Sequence, residues 1–427
     1  MILIEHYYPN AALQKPHSEH LPILLYVEEA ENDFINALVN RADIRLVLLR
    51  FSNCMFFSQG HLRKTRSIAS FVWNKQADFY VELDRLRWFL QHNELMPDYF
   101  YNDSEFNQIL AQRIARALDL PGALSERQAE LVRNKILMKQ FVEEIGLHCP
   151  RFAPVWCLDD AKHFASKTGY PVIIKWHSGV SSIDVFKISS EQELEMLSID
   201  FTCGRYMIEE FRRETIWCID ALAVSGRVQD VFYTWLPYTN LDFASSKRRF
   251  IQMSVGEKQK HWNFDPYWLT QTIVSGLGTQ SGYLHLEVFI TAQGDPLVCE
   301  FAWRTPGDHM ISNLSLLHDT DIPGRLLDSF FGIRHEPLSD TAKCVGDIFL
   351  PMKDGKITAI SNIETMREQL PIIAGEIFYG VGDQMKGKHK YTDSAGWIQM
   401  CAPSISEILT LTDRVYTSFC LQVEKYE

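Results

Sequence analysis

Two glutamates and an arginine around one tight turn are the residues of this chain whose types and spacing could do chemistry together. The stretch SGYLHLEVFITAQGDPLVCEFAWRTPGDHM, Ser281 to Met310, holds two short apolar runs joined at Gln293-Gly294, a pattern for two antiparallel strands and a tight turn. A two-residue loop, or a symmetric four-residue one, leaves Ala292 and Asp295 flanking the turn and sets Glu287 directly opposite Glu300 on one sheet face. Each Glu has apolar neighbours, Leu286 and Val288 for one, Cys299 and Phe301 for the other. Facing like charges cost up to about 1 kcal/mol, and an unpaired carboxylate among apolar residues costs more, so a cation between the two is expected. Mg²⁺ takes one or two carboxylates from a protein and fills its remaining positions with water and phosphate oxygens. Arg304, just beyond Glu300, offers a bidentate grip on an anion beside that metal. The competing reading is a solvated face carrying two ordinary surface glutamates.

Composition bounds what else the chain could be. Its 427 residues suffice for two or three domains and 46% are hydrophobic, as in well-packed globular proteins. A net charge of −12 argues against a general binder of phosphate backbones. The nine cysteines are scattered and odd in number, with no C-x-x-C pair, against both a disulfide framework and a zinc site. The start MILIEHYYPN lacks a signal-peptide pattern and no apolar run is long enough to span a membrane. A cytoplasmic protein without nucleic-acid or membrane partners is the expectation.

The elements that must position the hairpin follow from periodicity. LPILLYVEE, NDFINALVNR and IRLVLLR read as strand, helix and strand, the opening of an α/β sheet, and DYFYNDSEFNQILAQRIARALDLPG as a last strand and an amphipathic helix. Residues 50–90 are left open between strands and short helices. No G-x-G-x-x-G follows the first strand, so a dinucleotide site of the usual kind is not indicated. SERQAELVRNKILMKQFVEEIGLHCPRF reads as one capped helix carrying Arg133, Asn134 and Lys135. A buried strand ends at Lys175 and runs into a Ser/Gly loop, Ser178 to Ser182, where backbone N–H groups could approach phosphates. Further strands flank Ser225-Gly226, with a polar break at Glu209-Glu210, and Lys247, Arg248 and Arg249 form either a solvated loop or an anion clamp. From about Ala342, short strands and turns suggest a small β-rich module closed by a helix from Ser404.

In this order the pieces resemble the ATP-grasp superfamily, within it the carboxylate-amine ligases that include the L-amino-acid ligases and, more distantly, biotin carboxylase and carbamoyl-phosphate synthetase. The matching motifs are Arg133-Asn134-Lys135, GYPVIIK from Gly169 to Lys175, the hinge Ile208-Glu209-Glu210-Phe211, and Glu287, Glu300 and Arg304. The resemblance implies an α/β fold with a Rossmann-like N-terminal domain (1–122), two ATP-grasp lobes (123–205 and 206–335) and a β-rich C-terminal module (336–427). It also implies ATP with Mg²⁺, or Mn²⁺ in its place. Lys135 and Lys175 would contact phosphates, with Ser178 and Ser181 in the phosphate loop. Glu209, Glu210 and Phe211 would meet adenine, Asp220 or Glu214 the ribose, and Glu287 and Glu300 the metal, while Arg304 and Lys175 act in catalysis.

Three departures stand out: Asn134 replaces the usual Asp, Ala302 replaces a second-metal asparagine, and the phosphate loop HSGVSSIDV has a single glycine. The implied reaction joins a small carboxylate to an amine through an acyl phosphate, and the resemblance admits a homodimer. The alternatives are a nucleotide-binding relative without ligase activity and a ligase using a non-amine nucleophile. Asp308 and His309 could bind an amine or merely cap a loop.

Overall fold

The computed structural model describes residues 21–27, 32–52, 68–180, 183–238, 250–257, 262–341, 343–386 and 394–424. Strands β1 (Ile23–Val27), β2 (Arg45–Phe51), β3 (Ile68–Trp73) and β4 (Tyr99–Asn102) form a parallel sheet in the order β3-β2-β1-β4. Continuous apolar runs such as ILLYV are what a parallel sheet covered on both faces requires. Helices Asp33–Leu38 and Phe79–His92 lie in the connections, capped by the side chains of Asn32 and Asp78, and helix Gln108–Ala117 follows β4. Among its described residues, the stretch left open in the sequence supplies strand β3 and the helix Phe79–His92.

Where one helix was expected, two form, Glu126–Leu131 and Lys135–Glu144. The break has a local cause. The Asn134 side chain accepts hydrogen bonds from the N–H groups of Ile136 and Leu137, so it caps the second helix and makes Lys135 its first residue. Asn and Asp are near-equivalent caps, so the departure at Asn134 is structurally neutral.

Strands β5 (Phe152–Val155), β6 (Val172–Trp176), β7 (Phe186–Ile188) and β8 (Tyr206–Glu210) form a small antiparallel sheet in the order β5-β8-β6-β7. Val172 and Ile174 face a core with helix Leu158–Thr168, which leaves Ile173 and Lys175 on the other face by strand alternation. Glu209 and Glu210 belong to β8 itself; the polar break expected there lies at 211–215.

The rest of the chain builds one large antiparallel sheet and a small one. Their strands are β9 (Ile216–Val224), β10 (Arg227–Leu236), β11 (Phe250–Val255), β12 (Gly282–Ile290), β13 (Pro296–Trp303), β14 (Cys344–Phe349), β15 (Gly355–Ile360), β16 (Ile372–Ile377), β17 (Gln384–Met385), β18 (Gly396–Ala402) and β19 (Leu421–Glu424). The eight-stranded order is β13-β12-β9-β10-β11-β14-β18-β16, and β17-β15-β19 stand apart. Among the described residues, three of the C-terminal strands, β14, β16 and β18, therefore extend the large sheet, while β15, β17 and β19 form a sheet of their own. Ser225 (φ 49°) and Gly226 (φ 75°) both take the left-handed conformation that a two-residue turn between β9 and β10 demands.

One face of the large sheet packs on helices Lys135–Glu144, Pro266–Leu277 and Ile405–Ser418. Part of the other face, Leu222, Phe232 and Tyr283, joins Leu24 and Tyr26 of the N-terminal sheet, Phe34 of helix Asp33–Leu38 and Leu326 of helix Ile322–Phe330 in a second core. Buried Asp103, just beyond β4, seals this junction: it accepts from Tyr26 Oη at 2.7 Å and from the Thr305 N–H at 2.8 Å. The residue after Arg304 is thereby anchored to the C-terminal edge of the parallel sheet. Replacing Asn134 by Ala is expected to lower the unfolding free energy by about 1 kcal/mol, and by Asp only by a few tenths, measured by chemical denaturation; equal effects would remove the cap assignment.

Candidate active site

β12 and β13 place Glu287 and Glu300 in register as expected, by a different route. Ile290 pairs with Pro296 around a five-residue connection, Thr291 to Asp295, closed by a 2.9 Å bond from the Thr291 N–H to the Asp295 carbonyl. This register would put Glu287 opposite Cys299. A β-bulge between Val298 and Glu300 takes up the difference, with Cys299 as the extra residue. The two-residue turn was thus wrong in detail, and turn and bulge offset each other. The Cys299 carbonyl accepts a bond from Lys139 Nζ at 3.0 Å.

The carboxylates form part of a grid on one face. Cys218 of β9 stands beside Glu287, and His285 of β12 stands opposite Ala302. Lys135 Nζ lies 3.3 Å from Glu300 Oε2 and donates to the Gly179 carbonyl at 2.9 Å. Lys175 Nζ is 2.6 Å from Glu209 Oε1, and Lys139 Nζ is 3.3 Å from Glu209 Oε2. Lys135, Lys139, Lys175 and Glu209 are all buried, where charges need partners: Glu300 faces Lys135, and Lys139 and Lys175 share Glu209.

The charges are unequal across the hairpin. Burial would raise the Glu300 pKa, but Lys135 and Lys175 outweigh it and hold it down at about 2. Glu287 has weaker compensation: burial and then the Glu300 charge push it up to about 7. Burial also disfavours charged Lys175, yet Glu209 more than offsets this and keeps its pKa above the ordinary lysine value. A facing pair in which one acid binds its proton for want of a nearby cation fits a divalent metal.

These groups line a cleft between the small sheet and the large one. Its apolar walls include Ile173, Val185, Ile216, Leu236, Phe289 and Met310, and Glu209, Glu210 and Phe211 also border it. Such a slot can accept a flat ring beside a charged floor. Arg304 reaches the cleft but is engaged by Glu105, through Nη2 at 2.5 Å and Nε at 3.2 Å.

Other expected residues sit elsewhere. Asp220 shares the sheet face of Glu287 but lies beyond the edge of the cleft, bonded to Tyr283 Oη at 3.2 Å and His285 Nδ1 at 2.8 Å, and does not border it. Glu214, its alternative, is held by Arg212 and is likewise absent from the lining. A ribose contact is therefore not legible for either. The Ser178 hydroxyl lies 2.9 Å from His177 Nδ1, and its carbonyl accepts from Arg133; the neighbouring Gly179 and Val180 line the cleft instead. Ser181, with Ser182 of the expected loop, and Lys247, Arg248 and Arg249 lie outside the described residues.

Sequence reasoning missed four side chains: Lys139, Glu105, Gln252 and His285. Lys139 falls one helical turn beyond Lys135, a spacing that puts both on one side of the helix. His285, two residues before Glu287, shares its strand face. Asp220 fixes the Nδ1 side of that ring, leaving Nε2 3.9 Å from Glu287 Oε1. A ring nitrogen thus stands across from Ala302, where the sequence suggested a lost ligand. Cys218, His285 and Glu287 bring their donor atoms within 4.8 Å of one another.

The sign of the Glu287 shift makes a prediction. Its folded pKa is raised, so in metal-free buffer its destabilising effect grows as pH rises from the ordinary carboxylate range through about 7. Glu287→Gln is expected to raise the thermal midpoint near pH 8 and change it little near pH 5, followed by calorimetry with chelator present. An equal gain at both values would contradict the assignment.

No family model matches the chain. A curated relative, the L-arginine-specific L-amino acid ligase of Bacillus subtilis, is 23% identical over 315 residues, covering 68% of this chain and 72% of the relative. Among solved structures, an L-amino acid ligase from Bacillus licheniformis superposes with a TM-score of 0.75 at 16% identity, over 96% of this chain and 100% of its own. N5-carboxyaminoimidazole ribonucleotide synthetase from Thermotoga maritima gives 0.65 at 14% identity, over 94% and 100%. Among the described residues no helix is long and apolar enough to cross a membrane. The chain has the ATP-grasp fold, and in sequence and structure it is similar to the ATP-dependent carboxylate-amine ligases of that superfamily.

Proposed function

We propose that this chain is an ATP-dependent ligase that activates a small carboxylate, an amino acid or similar, as an acyl phosphate and joins it to an amine. The observation that carries the reading is the register pairing of Glu287 with Glu300 on the floor of a cleft that also holds Lys135 and Lys175. The similarity to L-amino acid ligases supports an amino acid as the carboxylate and an amide or peptide as the product.

Glu287 and Glu300 would hold Mg²⁺, with His285 beside them, and Mn²⁺ could take its place. When bound, the metal supplies charge neutralisation for phosphate oxygens. Lys135 and Lys175 stand where phosphate oxygens would meet them, each already buried and charge-compensated, so little reorganisation is needed when they bind an anion. The strand end Glu209-Glu210-Phe211 borders the apolar part of the cleft and would present backbone groups to an adenine ring.

In the first step a carboxylate oxygen attacks the terminal phosphorus, the bond to the bridging oxygen breaks and ADP leaves. In the second the amine nitrogen attacks the acyl carbon, phosphate leaves and the nitrogen gives up a proton. Arg304 would exchange Glu105 for the reacting anion, a bidentate swap that keeps its charge paired throughout. The apolar walls would limit access of water to the acyl phosphate.

The test is substrate-dependent ADP and phosphate release by the purified chain with Mg-ATP and pairs of amino acids and small carboxylates. Glu300→Gln should lower turnover at least about 100-fold, the scale on which transition-state charge stabilisation is lost, with the circular dichroism spectrum unchanged. Unaltered turnover would remove the metal role, and no ADP release with any pair would favour a binding protein without ligase activity.

A further inference from the structure

At the end of the cleft away from the hairpin, the large sheet carries a second polar row on its cleft side. Gln252 of β11 pairs in register with Asp347 of β14, and Asp347 with Gln399 of β18, so the three side chains share one face. Gln252 and Asp308 line the cleft, and Gln252 Nε2 donates to Asp308 Oδ2 at 3.0 Å. That bond fixes the amide orientation, because the reverse would set two acceptors against each other.

What remains is an excess of acceptors. Among the described residues, Gln252 Oε1 and both carboxylate oxygens of Asp347 have no side-chain hydrogen-bond partner, although Asp347 is 0% exposed and Gln252 2%. Burial, with the charges of Asp308 and Asp33, pushes the Asp347 pKa up to about 8, against which the His309 imidazole and backbone N–H favour its charged form. Asn313 Nδ2, an unpartnered donor on helix Met310–His318, can serve one of these oxygens at most on each of its hydrogens, while its own oxygen is taken by Gln399 at 2.6 Å. Asp308 and Asp33 add negative charge around Asp347, and His309 is the cationic side chain that acts on it. His309 is itself spoken for: its Nδ1 lies 3.4 Å from Asp33 Oδ1 and its ring stacks on Trp397 at 3.8 Å.

Buried acceptors without donors are costly, and a ligand rich in N–H groups and carrying positive charge removes that cost. We infer that the end of the cleft bounded by Asp308 and Gln252, with Asp347 in the next position of the row beyond Gln252, is a subsite for a cationic nitrogen group of the amino-acid substrate. The group is either the α-ammonium or a basic side chain. Asp308 and the Gln252 oxygen would accept its hydrogens, with Asp347 as the buried counter-charge behind them. This deepens the ligase reading by naming the substrate class, and it rests on that reading.

Calorimetric titrations of the full chain without ATP test it, using arginine against citrulline for the side chain and alanine against lactate for the α-ammonium. At least one cationic member should bind roughly tenfold or more tightly than its neutral counterpart, and Asp347→Asn and Asp308→Asn should each erase most of that preference. Asp347→Asn should also raise the thermal midpoint of the free protein, since an amide replaces a carboxylate lacking donors. The inference is overturned by equal binding within both pairs, by no measurable binding of any of the four, by a preference that survives both substitutions, or by a lowered midpoint for Asp347→Asn. A cation preference without ADP formation in the release assay would keep the subsite and sink the ligase reading.

Discussion

Two carboxylates facing each other on a buried sheet face govern the rest of the charge distribution in this molecule. Glu287 and Glu300 repel, and within the low-dielectric cleft that repulsion is not screened away as it would be at a surface. Lys135 answers Glu300, Glu209 answers Lys175 and Lys139, and Glu287 is left with the weakest compensation. Each of these lysines thus has an acidic partner, and the less compensated acid of the hairpin lies where the proposed metal would sit.

The positions of these charges depend on elements distant in the chain. Lys135 and Lys139 come from a helix whose start is set by Asn134, Lys175 and Glu209 from neighbouring strands of the small sheet, and the glutamates from the hairpin of the large one. Arg304 is steered by the N-terminal sheet, because Asp103 grips Thr305 and Glu105 grips Arg304 itself. The parallel sheet, which contributes Glu105 to the cleft lining, therefore acts mainly as a brace for the segment that follows the hairpin.

Charge along the cleft is graded. Its hairpin end concentrates lysines and paired acids, suited to phosphate and metal, and its other end has acceptors in excess of donors at Gln252, Asp308 and Asp347. An anionic nucleotide tail and a cationic substrate group would be drawn to opposite ends, which leaves the carboxylate to be activated between them. Electrostatics alone would then orient both reactants.

The sequence by itself determined the elements and the reactive hairpin, because period-two and period-3.6 apolar patterns and turn residues act locally. Glu287 and Glu300 were legible as a facing pair although the turn was misread, since the bulge at Cys299 offset the longer loop. The split at Asn134 was legible in principle from capping chemistry but hidden by a continuous helical pattern on either side. Only the tertiary structure decided that Asp220 is taken up by His285 outside the cleft, that Lys139 and Glu105 join the charge network, and that Asp347 is buried beside Gln252. These facts depend on which strands become neighbours across long stretches of chain, and cross-strand partners are fixed by packing of whole layers, to which no local spacing rule applies.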